Sequence, residues 1–205
     1  MSHPIVLAIT GASGAAYARR LLELLLANGT EVHLTISPSG RTVLREELAV
    51  DVDLDNFRPE QLLPDGAGQG GLGRLIYHHH QDFMAPIASG SFLTSGMVIC
   101  PCSGSTLSGV AHGGSANLIQ RAADVHLKER RRLILVPRET PLSLPQIENL
   151  RSAHLAGATI LPAAPGWYHG VRRVEDLVDF VVARILDQLA IRCSLIRRWG
   201  EESAS

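Results

Sequence analysis

Apolar and polar positions alternate along this chain in blocks that predict strands and helices in turn. Pro4-Ile5-Val6-Leu7-Ala8-Ile9-Thr10 is a near-continuous apolar run, as expected of a parallel strand buried on both faces. Gly11-Ala12-Ser13-Gly14 then reads as a tight turn, and residues 15–27 carry helix-spaced apolar positions up to a stop at Asn28-Gly29. Residues 31–36 predict a second strand, and Ser37-Pro38 predicts the start of a helix running to about Val50. This βαβα opening is the signature of a parallel sheet with crossover helices.

The pattern then loosens. Residues 51–73 are polar and rich in proline and glycine, and read as a surface connection with short helical pieces. Later strands are predicted at 95–100, 133–136 and 158–161, and helices at 105–110, 117–124, 143–155 and 174–191. The expected architecture is a single α/β domain over residues 1–191, a three-layer sandwich with a mostly parallel sheet. Residues 192–205 are expected to form a C-terminal tail over the site or a neighbouring subunit.

Composition narrows the class. With 205 residues the chain suits one sizeable domain, not two. A formal net charge of −1 argues against general nucleic-acid binding, and 4% aromatic residues argue against a base-stacking platform. Cys100, Cys102 and Cys193 are odd in number and lack zinc or redox spacing, which points to a reducing compartment. His78, His79 and His80 are adjacent, so on a strand their side chains would diverge instead of chelating. No apolar run approaches the roughly 20 residues of a spanning helix, and no basic segment precedes an apolar leader, so a cytoplasmic location is expected.

Candidate chemistry sits where strands end. Ligands of open parallel sheets bind beyond the carboxyl ends of strands. Four such loops are rich in small or hydroxyl residues: 11–14, 37–40, 101–106 and Pro137-Arg138-Glu139-Thr140. Hydroxyls together with free N–H groups at helix starts suit a phosphate. The dinucleotide fingerprint fails, because Ser13 and Ala16 replace its later glycines and the second strand ends at Ser37 without a ribose-binding acid. A mononucleotide is the better fit. Residues 121–140 hold nine charged residues of twenty around the apolar 133–136, so an anionic substrate is expected at one end of that strand.

Several motifs in order then carry a family resemblance: Ile9-Thr10-Gly11-Ala12-Ser13-Gly14-Ala15, Ala88-Ser89-Gly90-Ser91-Phe92, and Met97-Val98-Ile99-Cys100-Pro101-Cys102-Ser103. Asn117-Leu118-Ile119, Arg121-Ala122-Ala123-Asp124-Val125, Leu127-Lys128-Glu129-Arg130-Arg131, Val136-Pro137-Arg138-Glu139-Thr140-Pro141-Leu142-Ser143 and Pro162-Ala163-Ala164-Pro165 followed by Tyr168 continue it, with Arg198-Trp199-Gly200 at the end. The chain resembles the UbiX-type flavin prenyltransferases. The resemblance implies a Rossmann-like fold binding FMN, assembled as a trimer-based dodecamer with sites at subunit contacts. It implies transfer of a dimethylallyl group from dimethylallyl phosphate to reduced FMN without a metal. The prenylated flavin would then serve a UbiD-type decarboxylase in ubiquinone or aromatic-acid metabolism.

The resemblance also implies roles. Gly11, Ala12, Ser13, Ser37, Ser103 and Thr106 would hold FMN, with Arg121 shared between flavin and prenyl phosphate. Lys128, Arg138 and Tyr168 would bind that phosphate, and Ser89 would lie near the flavin ring. Glu139 would move the proton lost in ring closure, with Glu47 as a second acid, although neighbouring Glu46 leaves that register open, and Ser13, Lys128 and Tyr168 would complete the catalytic set. Trp199 would cover the prenyl site. Trp167, Val171 and Gln146 depart from the family pattern, Gln146 standing where a His is common. A peptidyl-cysteine decarboxylase and a non-catalytic flavin carrier are the competing readings.

Overall fold

The computed structural model describes residues 3–63 and 73–196. Its sheet has six strands: β1 (Ile5–Ile9), β2 (Glu31–Ile36), β3 (Arg74–Tyr77), β4 (Gly96–Cys102), β5 (Leu133–Pro137) and β6 (Thr159–Ile160). They lie in the order β3-β2-β1-β4-β5-β6, and every adjacent pair is parallel. The expected mostly parallel sheet is therefore parallel throughout the described residues. The order reverses between β1 and β4, where Leu7 lies beside both Leu34 and Val98. Such a reversal opens a crevice at the carboxyl edge.

Strand alternation divides the core in two. Ile5, Leu7 and Ile9 face one layer, packed on α1 (Ala15–Ala27), α2 (Pro38–Leu48) and α7 (Val174–Gln188). Val6 and Ala8 face the other, with α4 (Gly104–Ala111), α5 (Leu118–Lys128) and α6 (Leu144–Leu155). Each of Val6, Leu7, Ala8 and Ile9 has 0% exposure, as a strand covered on both sides requires.

Several boundaries differ from the sequence reading, each for a physical reason. β3 follows the 51–73 connection and is a strand the hydrophobic pattern does not predict, while the short α3 (Pro59–Leu62) is one of that connection's helical pieces. β3 is four residues long on the sheet edge, with Arg74 exposed and Leu75, Ile76 and Tyr77 half-buried, so its apolar run is only three residues. β4 continues through Pro101 to Cys102, with a register shift between Ile99 and Cys102. α5 runs on past Asp124 to Lys128, because buried Val125 and His126 extend its apolar face. α7 stops at Gln188, three residues early, where Ala190 takes a φ of 58° and leaves the helical region. The glycine-rich segment at 66–71 lies outside the described residues. Among those described, no helix is long and apolar enough to cross a membrane.

Candidate active site

The loops after β1, β2 and β4 meet at the crevice. Thr10, 1% exposed, fastens two of them: its hydroxyl donates to the Pro101 carbonyl at 2.7 Å and its oxygen accepts the Ser103 N–H at 2.8 Å. Gly11 is in close approach to the third, since a Cβ there would stand 2.4 Å from the Ser39 Cβ. Gly40 is pressed against β1, and a Cβ on it would lie 2.5 Å from the Ile9 carbonyl oxygen.

Ser37 and Ser103 are the N-caps of α2 and α4. Ser37 accepts the Gly40 N–H at 3.0 Å, and Ser103 accepts that of Thr106 at 3.4 Å. The Ser103 hydroxyl donates to the Thr106 hydroxyl at 3.0 Å. Remaining N–H groups of each first turn have no intrahelical acceptor. Hydroxyls and backbone donors at two helix starts make a phosphate-compatible cradle.

α1 is different. Its N-cap is Gly14, held at a φ of 119° that glycine adopts freely, and it offers no side-chain cap. Glu47 from α2 takes that place. Its carboxylate accepts the Gly14 N–H at 2.9 Å and the Ala15 N–H at 2.8 Å, and the Ser13 hydroxyl also bonds to it. Burial alone pushes the Glu47 carboxyl up, but these hydrogen bonds and the nearby Arg138 charge outweigh it and hold it below its ordinary value. Glu46 instead pairs with Arg45, 3.1 Å away on the outer surface. Of the two neighbouring acids, Glu47 is the one at the crevice.

Arg138 follows the end of β5. Its Nε is buried with no hydrogen-bond partner among the described residues, so one guanidinium donor is left unpaired. Next to it Glu139 is exposed, and its Oε2 accepts from Gln146 Nε2 at 3.1 Å. A Cβ on Gly104, the first residue of α4, would lie 3.3 Å from that same Nε2, so Gln146 stands between Glu139 and the start of α4.

Arg121, Lys128 and Ser89 each make local contacts of their own. Arg121 Nε donates to the Ala88 carbonyl at 3.1 Å, and its guanidinium pairs with Asp124 at 3.2 Å. Ser89 shares a 2.9 Å hydrogen bond with Ser91, and Lys128 Nζ lies 3.3 Å from Glu129. Lys128 ends α5 on the side where β5 begins, while Arg138 lies beyond the strand's other end. Five strand residues separate those ends by about 16 Å. One protomer therefore does not bring Lys128 to Arg138. Tyr168 packs edge-on to Phe180 at 5.7 Å and is 55% exposed, beside Trp167 at 71%. Trp199 lies outside the described residues.

Other candidates resolve simply. His78 bonds to His33 at 2.8 Å, while His79 faces Asp55 at 3.5 Å, so the histidine run does not converge. Among the described residues no cluster of His, Cys, Asp or Glu is placed to hold a metal ion. Cys100 and Cys102 are buried free thiols; burial pushes both up, Cys102 to about 12, so neither is a ready nucleophile.

The Flavoprotein family profile matches residues 1–186. Flavin prenyltransferase UbiX of Pseudomonas aeruginosa is 50% identical over 204 residues, covering 98% of this chain and 97% of the relative. The chain belongs to the UbiX flavin prenyltransferase family. The crystal structure of AnUbiX (PadA1) in complex with FMN and dimethylallyl pyrophosphate superposes with a TM-score of 0.84 at 35% identity, covering 99% of this chain and all of that one. The dodecameric FMN-dependent UbiX-like decarboxylase from Escherichia coli O157:H7 gives 0.83 at 36% identity, with 97% and 100% covered. For a UbiX-family chain the donor set fits FMN: a glycine-tight crevice and two hydroxyl-capped helix starts. Sequence reasoning missed Thr10 as the clasp between loops and Gln146 as the partner of Glu139. The Ser143-Leu144-Pro145-Gln146 spacing, with a helix-cap serine three residues before a glutamine, was the available signal for the second.

Proposed function

We propose that this chain catalyses transfer of a dimethylallyl group from dimethylallyl phosphate to reduced FMN, giving a prenylated flavin for a UbiD-type decarboxylase. The observation that carries this reading is the Ser13–Glu47–Arg138 cluster beside the hydroxyl-lined crevice, in a chain half identical to a flavin prenyltransferase. Bound reduced FMN would supply the electron-rich ring that displaces phosphate from the prenyl carbon.

The remaining work falls to side chains. Glu47 occupies the first N–H groups of α1 with negative charge, which turns a phosphate away from that helix start and favours the α2 and α4 caps. Ser37, Ser103 and Thr106 hold the FMN phosphate there, and Gly11 and Ala12 allow the backbone to approach the flavin. Arg138 binds the leaving phosphate and neutralises its growing charge, with Tyr168 as a hydroxyl donor. Glu139 accepts the proton released on ring closure. Lys128 acts on the site of a neighbouring copy, because its own protomer holds it at the far edge of the sheet, while Arg121 is shared between flavin and prenyl phosphate and Ser89 lies near the flavin ring. That arrangement supports a trimer-based assembly in which exposed Trp167 and Tyr168 become covered, Trp199 closing over the prenyl group. Three free cysteines are compatible with a reducing cytoplasm.

The test is incubation with FMN, a reductant and either dimethylallyl phosphate or the pyrophosphate, followed by mass spectrometry of the flavin. A flavin heavier by one dimethylallyl group is expected with the monophosphate. An unchanged flavin mass with both donors would sink the proposal.

A further inference from the structure

Gln146 is fixed more tightly than a surface amide needs to be. Its Oε1 accepts two hydrogen bonds from Ser143, the N–H at 2.9 Å and the hydroxyl at 3.1 Å. Those two donors identify that atom as the carbonyl oxygen, so the other end of the amide is the NH₂ group. That group donates to Glu139 Oε2 at 3.1 Å and rests against Gly104 at the start of α4. One side chain thus ties the helix start of α6 to a carboxylate and to the loop that carries Ser103.

We infer that Gln146 is a positioning residue for Glu139, holding one carboxylate oxygen so that the other faces the flavin crevice. This rests on the proposed role of Glu139 as the proton acceptor. A plain helix cap needs only the Ser143 bonds and would leave the NH₂ end in water. Here the NH₂ end is spent on the carboxylate of Glu139, the residue after Arg138. The NH₂ of an amide is a donor whatever the pH, whereas the charge and donor count of an imidazole at this position would change with pH.

The test is a double-mutant cycle of Gln146→Met, which keeps length and loses both hydrogen-bonding ends, with Glu139→Gln. The holoenzyme is assayed with dimethylallyl phosphate, and crystal structures of the flavin-free proteins are compared. Gln146→Met should lower kcat roughly tenfold, the scale of one hydrogen bond to a charged group, with KM for the donor and FMN affinity little changed. It should add nothing in the Glu139→Gln background, and the Glu139 carboxylate should leave its position in the flavin-free crystal. Gln146→His should recover rate only with a new pH dependence. Equal losses in both backgrounds, or an unmoved Glu139, would overturn the inference and leave Gln146 as a cap. Full activity in Glu139→Gln would remove the proton-acceptor reading and this inference with it. Absence of prenylated flavin from the unmutated enzyme would instead refute the proposed reaction.

Discussion

Glu47 caps a helix to which it does not belong: its Oε2 accepts the Ala15 N–H at 2.8 Å, although 32 residues separate them. Gly14 cannot cap α1 with a side chain, and the first turn of α1 has no acidic residue. The carboxylate of Glu47 therefore fixes α1 to α2 and helps set the shape of the Gly11–Gly14 turn that leads from β1 into α1. It is also a charge placed where the crevice starts.

Replacing Glu47 by Gln should therefore affect stability as well as turnover. The lost charge–dipole and hydrogen-bond contribution is about 1 kcal/mol for a solvent-facing cap, or about 2–4 °C in Tm for a domain of this size. Because the folded carboxyl titrates below its ordinary value, its stabilisation is complete above that value and is lost as pH falls through the lower one. Thermal melts of the two proteins should differ at pH 7 and converge in strong acid. A constant gap across that range would contradict the assigned interaction.

Gly40→Ala should damage the crevice without touching a ligand group. The added methyl would meet the Ile9 carbonyl oxygen at 2.5 Å, and a backbone atom cannot swing aside as a side chain can. α2 must then move off β1, straining the 3.0 Å bond from the Ser37 N–H to Ile9 O. Overpacking of this kind costs about 1–3 kcal/mol. Fluorescence titration should show weakened FMN binding alongside a lower Tm. Unaltered affinity would mean that the β1–α2 spacing does not shape the flavin site.

The sheet was legible in the sequence where its strands are buried on both faces. Ile5 to Ile9 could be read directly because all five residues are apolar, whereas β3 hides in Arg74-Leu75-Ile76-Tyr77, whose apolar run is only three residues long. The loop chemistry was legible from its glycines and serines. The contact of Glu47 with Gly14 was not, since it depends on how α2 packs over α1, and nothing local in Glu46-Glu47 says which carboxylate turns inward. Lys128 and Arg138 looked like neighbours in one charged stretch, yet an intervening strand carries them to opposite edges.

His126 gives a stability change with a defined direction. It is buried between α5 and the loop before β4, with Nε2 2.8 Å from Thr94 Oγ1 and Nδ1 2.7 Å from the Ala122 carbonyl. Burial pushes its imidazole down to about 4; the Ala122 bond opposes this and the Arg131 charge adds to it. The unfolded chain thus takes up a proton first, so stability is full above the ordinary histidine value and falls as pH drops toward the folded one. Between pH 7 and 5 the loss from this group is roughly 2 kcal/mol. Urea unfolding at the two pH values should show it, and His126→Gln should flatten that part of the profile. An equal pH dependence in the variant would assign the loss to other groups.

Lys128 and Arg138 allow a test of where one active site ends and the next protomer begins. Lys128 closes α5 before β5 starts, and Arg138 follows β5 at its far end. If both act on one prenyl phosphate, they come from different copies. Lys128→Ala and Arg138→Ala should each lower activity by about tenfold or more, as loss of a charge-assisted contact to phosphate does. When the two variants are unfolded together and reassembled, some interfaces receive an intact Lys128 from one chain and an intact Arg138 from the other. Those sites should regain the unmutated rate, so the mixed assembly should exceed the mean of the separate variants. Simple mixing without exchange of subunits should give only that mean. Sites contained within one protomer predict no gain after reassembly either, because each chain would still lack one of its own two cations.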